Sequence, residues 1–262
     1  LAGDFEMVLV PAGSYTYGEN DQTYDIDYDF EIMKYEVTNT QYLFYLEEAL
    51  ANGDITVNGN SVQGYYEGDG NTVAGTQTFY DLGTPSSYNY ARISYNGSNF
   101  QINEPSGFSD GEYDLHPVIE VSWYGANAFA EHYGMQLPTE FEWEKTARGN
   151  TGADYPWGEN YGATISDNSN YWNSGDPWDN GTSPVGYFNG DNSTTNSPSP
   201  YGAYDMAGNA WEWTDSWYNS SNRVLRGGSW NNGAYNLHSW DRSLNYPGSA
   251  NSYCGFRCSR TQ

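Results

Sequence analysis

The chain has 262 residues, enough for one large domain or two small ones sharing a core. Nine Lys and Arg against 34 Asp and Glu give a formal charge of −25, which sets aside DNA and an anionic membrane surface as partners. Charged residues are 16% of the chain and aromatic residues 18%, with 26 Tyr and 10 Trp, so this is a folding sequence and not an acidic disordered tail.

No apolar run reaches the eighteen or so residues of a membrane helix. The sequence begins at Leu1 without a basic-then-apolar leader, which fits a processed secreted chain or part of a longer one. Lys34 and Lys145 are its only lysines, and Asn, Gly, Ser and Tyr dominate. That balance points to an extracellular or cell-surface location.

In chain order, residues 7–10 followed by Pro11-Ala12-Gly13 read as a strand entering a turn, and 30–37 as a second strand. Thr38 or Asn39 then caps a helix whose apolar stripe is Tyr42, Leu43, Leu46 and Leu50. Residues 51–115, rich in Gly, Asn and Tyr, read as an inserted set of small hairpins and loops. Ser122 caps a second helix along Trp123, Ala126, Ala130 and Tyr133, which Gly134 ends. A third starts at Thr139, where Glu142 completes a capping box, and stops at Gly149.

From Asn150 onward the chain is punctuated by Gly, Asn and Pro. A loop-rich half costs backbone entropy, so buried tryptophans and bound cations are expected to hold it. No repeat of roughly twenty to fifty residues is present. Three helices among many short irregular strands make an α+β pattern.

Candidate chemistry is sparse. Cys254 and Cys258 are the only cysteines, and a disulfide between them would need a turn at Gly255, because four residues of straight strand span about 13 Å. These two and three scattered histidines build no zinc site, and His116 and His132 read as structural. Glu140, Glu142 and Glu144 alternate on the third helix, which spreads them around it and reads as capping and solvated residues. Asp205 and Asp215 flank Trp211-Glu212-Trp213 with no basic partner apparent. No nucleophile elbow, phosphate loop or His-Glu-x-x-His occurs.

The stretch 137–145, Leu-Pro-Thr-Glu-Phe-Glu-Trp-Glu-Lys, resembles the formylglycine-generating enzyme (sulfatase-modifying factor) family, a branch of the C-type-lectin-like fold. The motif set spans most of the chain. It includes Val10-Pro11-Ala12-Gly13, Tyr35-Glu36-Val37-Thr38-Asn39, Tyr155-Pro156-Trp157-Gly158, Gly208-Asn209-Ala210-Trp211-Glu212-Trp213, Arg226-Gly227-Gly228-Ser229-Trp230 and Gly255-Phe256-Arg257-Cys258. The resemblance covers 51–115 least. It implies one irregular α+β domain over 1–262, with few helices, short strands and long loops.

It also implies structural calcium. One family site falls on Gly208, Ala210 and Glu212, whose carbonyls and carboxylate suit a hard cation. A second falls near Asn170, Tyr171, Asp176 and Trp178. The alternative for Glu212 is a cap or a pairing with an arginine such as Arg226. The family's enzymes oxidise a cysteine using copper held by two cysteines, and the matching positions here are Asn232 and Leu237, which supply no thiolate. The chain is therefore expected to lack that activity.

The segment from Arg223 to Arg257 resembles the terminus of variable proteins from diversity-generating retroelements, which display a mutated surface on this fold. Gly233, Tyr235, Asp241, Ser243, Tyr246, Ser249, Ser252 and Tyr253 stand where that pattern has asparagine, and each is reachable from an asparagine codon by changing adenines alone. His238, Trp240, Ala250 and Cys254 depart at other positions. Tyr, Trp, Ser, Asn and Gly together are a paratope-like mixture. Tyr235, His238, Trp240, Tyr246 and Tyr253 are the candidate aromatic anchors, with Asp241, Ser243 and Asn251 as polar contacts. Trp230, Leu237 and Phe256 read as the buried positions. The alternative places the aromatic set in the core.

Three functions are weighed. The first is a secreted or surface-displayed binding protein that takes an extracellular protein or glycan at 231–254. The second is a subunit that assembles with itself into a filament or surface layer, with cations offsetting the charge. The third is an oxidoreductase with a rebuilt site.

Overall fold

A computed structural model describes residues 5–82, 90–158, 165–178 and 180–261. Strands β1 (Met7–Val10), β2 (Gly13–Tyr17), β3 (Gln22–Ile26) and β4 (Phe30–Met33) open the chain. β1 pairs antiparallel with β4, and β2 with β3. Val10, Tyr15, Ile26, Phe30 and Ile32 bury together between them. The second strand was expected to reach 37 and instead ends at Met33. Val37 donates its N–H to the Phe256 carbonyl at 2.9 Å, so the chain leaves the ladder to join the carboxy-terminal segment.

Helix α1 (Asn39–Asn52) begins on Thr38, whose hydroxyl and backbone exchange hydrogen bonds with Gln41. Tyr42, Tyr45, Leu46 and Ala49 form its buried face, while Leu43 and Leu50 are half-buried. β5 (Ile55–Asn58), β6 (Ser61–Tyr66) and β7 (Gly75–Asp81) make an antiparallel meander, and β8 (Ile93–Tyr95) pairs with β9 (Phe100–Ile102). Hairpins thus fill the 51–115 stretch, of which 83–89 lie outside the described residues. They are not peripheral: Val62, Phe79, Tyr80, Ile93 and Phe100 belong to the largest core cluster.

α2 (Trp123–His132) is capped by Ser122, which also donates its hydroxyl to the Thr78 carbonyl and so ties the helix to β7. α3 (Glu140–Arg148) carries the expected Thr139–Glu142 box. Its three glutamates are not solvated, however. All three are buried, because each meets a distant partner: Glu140 takes Arg242, Glu142 takes Tyr28 and Glu144 takes Arg226.

The last strands are β10 (Trp211–Trp217), β11 (Arg223–Arg226), β12 (Arg242–Asn245), β13 (Cys254–Gly255) and β14 (Ser259–Thr261). One sheet runs β12-β11-β10-β13, with β13 parallel to β10. The other runs β1-β4-β14, so the end of the chain closes on its beginning. Between α3 and β10 the described chain is turns and one short 3-10 helix, Ile165–Asp167. Of the fully buried tryptophans, Trp143 packs with Ala203 and Met206 of this stretch, whereas Trp123 and Trp213 belong to the main core. Cys254 and Cys258 are both free and buried. Among the described residues no helix is long and apolar enough to cross a membrane.

Candidate ligand-binding surface and its scaffold

The segment 231–254 leaves the sheet after Gly227-Gly228-Ser229-Trp230, returns to it as the edge strand β12 and ends at the start of β13. The scaffold holds it largely by its main chain. Arg226, fully buried, donates to the carbonyls of Trp240 (2.9 Å) and Asp241 (2.6 Å) while its other terminal nitrogen pairs with Glu144. The Trp230 indole donates to the Ser252 carbonyl, the Trp123 N–H to that of Pro247 and the Glu120 N–H to that of Asn251, each at 2.9 Å. Gly228, at φ +77°, lets the segment pass close by, since a Cβ there would sit 2.7 Å from the Asn236 carbonyl oxygen. Leu237 is the apolar plug, packed with Tyr155, Ile165 and Ala207.

The side chains divide into two groups along β12. At one end Tyr235, 55% exposed, stands edge-on to Trp240 at 5.6 Å and to His238 at 5.1 Å. Trp240 is half-buried, stacks flat on His238 at 4.6 Å and donates its indole N–H to Asp154 at 2.8 Å. His238, expected as a contact residue, is only 5% exposed. It lies between Trp240 and Tyr155, so it supports the anchor and does not present itself. Asp241 accepts from Asn236 at 3.0 Å. At the other end Tyr246 is 55% exposed. Ser243 and Asn251 are half-buried, and Tyr253 packs against the main core.

Sequence reasoning missed three residues of this face. Arg242 and Leu244 are exposed on β12, and the Arg242 guanidinium lies 4.8 Å from the ring centre of Tyr218, which is also exposed. The period-two alternation of Arg242-Ser243-Leu244-Asn245 was the available signal.

Behind this face lies a buried charge cluster. Arg257 grips Glu212 with two bonds, at 2.7 and 2.8 Å, and the Trp143 indole donates to the same carboxylate at 2.7 Å. Glu36 accepts from the Asn209 amide (2.7 Å) and the Ala210 N–H (3.1 Å), and Asp205 accepts from the Gly186 N–H at 2.5 Å. Burial and mutual repulsion push Glu36 well above the usual carboxylate range. Burial raises Asp205 to about 6. Asn209 also donates its N–H to the Asn170 carbonyl at 2.7 Å, and a Cβ at Gly208 would lie 2.1 Å from that oxygen. The 170 and 208–210 segments are therefore in direct contact.

A family description, the sulfatase-modifying factor enzyme 1-like domain, matches residues 4–262. The chain belongs to this family. It is 29% identical to the formylglycine-generating enzyme of Bos taurus over 97% of this chain and 74% of the enzyme. It is 30% identical to the serine/threonine-protein kinase pkn1 of Chlamydia pneumoniae over 97% of this chain, but spans only 38% of the kinase's length. Among solved structures, Treponema denticola variable protein 1 superposes with a TM-score of 0.64 at 21% identity, covering 98% of this chain and 95% of that one. The architecture is the irregular α+β, C-type-lectin-like fold of the sulfatase-modifying factor family.

At the two positions that the resemblance matches to the family's cysteines, Asn232 accepts from the Ser229 hydroxyl at 2.7 Å and Leu237 is fully buried. The two cysteines the chain does have are fully buried, and burial pushes both thiols up, away from the thiolate a nucleophile or copper site needs. The first calcium set does not fit as expected. Both oxygens of Glu212 are committed to Arg257 and Trp143, and the pairing arginine is Arg257 and not Arg226. In the second set the Asn170 carbonyl is taken by Asn209, and Asp176 accepts from the Ser174 hydroxyl (2.6 Å) and the Trp178 N–H (2.8 Å), with Tyr171 and Trp178 half-buried beside it. Among the described residues no three His, Cys, Asp or Glu side chains form a metal cage.

Proposed function

We propose that the chain is a non-catalytic, secreted or surface-displayed binding domain that presents residues 231–254 to an extracellular protein or glycan. One observation carries this reading. The scaffold grips the segment through the carbonyls of Trp240, Asp241, Pro247, Asn251 and Ser252, so its exposed side chains are free of the task of holding it in place. Tyr235 and Tyr246 are large, rigid and outward, the residue type that supplies contact area at little entropic cost. The likeness of this segment to the variable proteins of diversity-generating retroelements supports the same reading.

The test is a screen of glycan and extracellular-protein arrays with the chain and with a Y235A/W240A/Y246A variant. The variant is expected to lose the signals of the parent, while a Y235A/Y246A variant, which spares the half-buried Trp240, also loses them with its unfolding free energy lowered by about 1 kcal/mol or less, as for surface sites. Retained binding, or a collapse in stability, overturns the reading.

A second reading, self-assembly, is favoured by β12. Among the described residues it is an edge strand of its sheet, the kind of edge that can pair with another copy. A bound divalent cation such as calcium would fit both readings by offsetting the buried charge of Glu36 and Asp205, the carboxylates that Arg257 does not grip.

A further inference from the structure

A cleft of about 450 Å³ opens between the end of β6, α2 and the β10–β11 pair. None of its lining residues belongs to 231–254, and it borders that segment where Trp123 donates its N–H to the Pro247 carbonyl. We infer that this cleft is a separate binding site, which takes a lysine or arginine side chain of a protein partner.

The inner half of the cleft already holds a cation of this kind. The Arg223 guanidinium lies 3.8 Å from the ring centre of Trp123 and 3.9 Å from that of Trp217, an aromatic sandwich. Its edges pair with Asp69 and, at 3.1 Å, with Asp215. Rings on the faces and carboxylates at the edges are the environment that a guanidinium or ammonium requires once it leaves water.

The outer half repeats that chemistry without a cation of its own. Tyr65, at the rim, is 60% exposed, and Tyr66 and Tyr124 line the cleft with ring centres 5.0 Å apart. Glu67 and Glu131 line the same opening, are exposed, and have no ion-pair partner among the described residues. Glu131 accepts one hydrogen bond, from the Asn127 amide at 2.8 Å. Four carboxylates thus face one arginine across the cleft, leaving a surplus of three negative charges beside an exposed tyrosine. A neutral sugar would use the rings and gain nothing from that surplus; a basic side chain uses both. The −25 charge of the whole chain steers such a partner inward, and the cleft is where it can be desolvated.

The experiment is calorimetric titration of the full chain with acetylated tetra-arginine and tetralysine peptides near physiological salt, with neutral cellotetraose as the alternative probe. E67Q/E131Q is expected to weaken peptide binding at least tenfold, and Y65A several-fold. D27N/D110N removes two exposed charges elsewhere and should change it less than twofold. Y235A/Y246A should leave it unchanged, which separates this site from the 231–254 surface. Equal weakening by D27N/D110N, meaning diffuse attraction to the acidic surface, overturns the inference. So does cellotetraose binding that depends on Tyr65 but not on the two glutamates.

Discussion

Glu120 is held in two unfavourable ways at once. It is a non-glycine residue at φ +62°, and burial together with the charge of Asp81 raises its carboxyl to about 7. Both follow from its position, since its N–H and carbonyl are spent on Asn251 and Asp81, near the end of the 231–254 segment. Because its folded pKa lies above the usual carboxylate value near 4.3, the folded state prefers the protonated form. Its ionisation therefore costs stability progressively as pH rises from about 4.5 to about 7, and the loss stays constant above that. Melting curves should show E120Q raising Tm at pH 7.5, with little effect at pH 4.5, and flattening the slope between. Asp205, raised to about 6, acts with the same sign, so some slope survives. An unchanged profile would mean that Glu120 ionises freely.

At the scale of elements, what was legible was local. Ser122 and Thr139 cap their helices as read, and Thr38 is the cap of the two residues offered for α1, because a cap is decided within four residues. The α3 glutamates were misread for the opposite reason: Arg226 is 82 residues from Glu144, and nothing near 144 announces it. The same holds for Val62 and Tyr80, whose burial depends on a meander register that composition does not display. At the binding face, the composition of the segment was readable, whereas which of its aromatic residues turn outward was not. Tyr235 and Tyr246 turn outward, whereas His238 is buried and Trp240 lies half-buried against it.

Arg226 couples these elements, since one side chain joins α3 to the backbone of residues 240–241. A lysine keeps the charge but lacks the fork that reaches three acceptors. R226K should therefore speed amide exchange across 238–242 by at least tenfold, with α1 little affected. Uniform acceleration would assign Arg226 to global stability instead.

For the whole molecule, the central question is how so acidic a chain tolerates buried carboxylates. Glu36, Asp205 and Glu212 surround one guanidinium, so two negative charges are in surplus unless protons or a cation neutralise them. Bound calcium would take that role and stabilise the fold by mass action. Tm is expected to rise with calcium over chelator, and D205N should remove most of the rise. Light scattering in the same titration reads the assembly hypothesis, as particles should grow if cations bridge copies. A calcium-independent Tm would leave protonation as the sole means of neutralising the cluster.

The closure of the chain on itself has a mechanical consequence. β1 and β14 flank β4, both run antiparallel to it, and Val10 and Thr261 lie opposite the same residue, Phe30. Tension applied between the two ends would drag β1 toward the Met33 end of β4 and β14 toward the Phe30 end. The load falls along the strands, across both ladders together, and does not peel the hydrogen bonds one at a time. A domain pulled by its termini in this geometry resists in shear, the arrangement suited to holding a ligand under flow or against a moving surface.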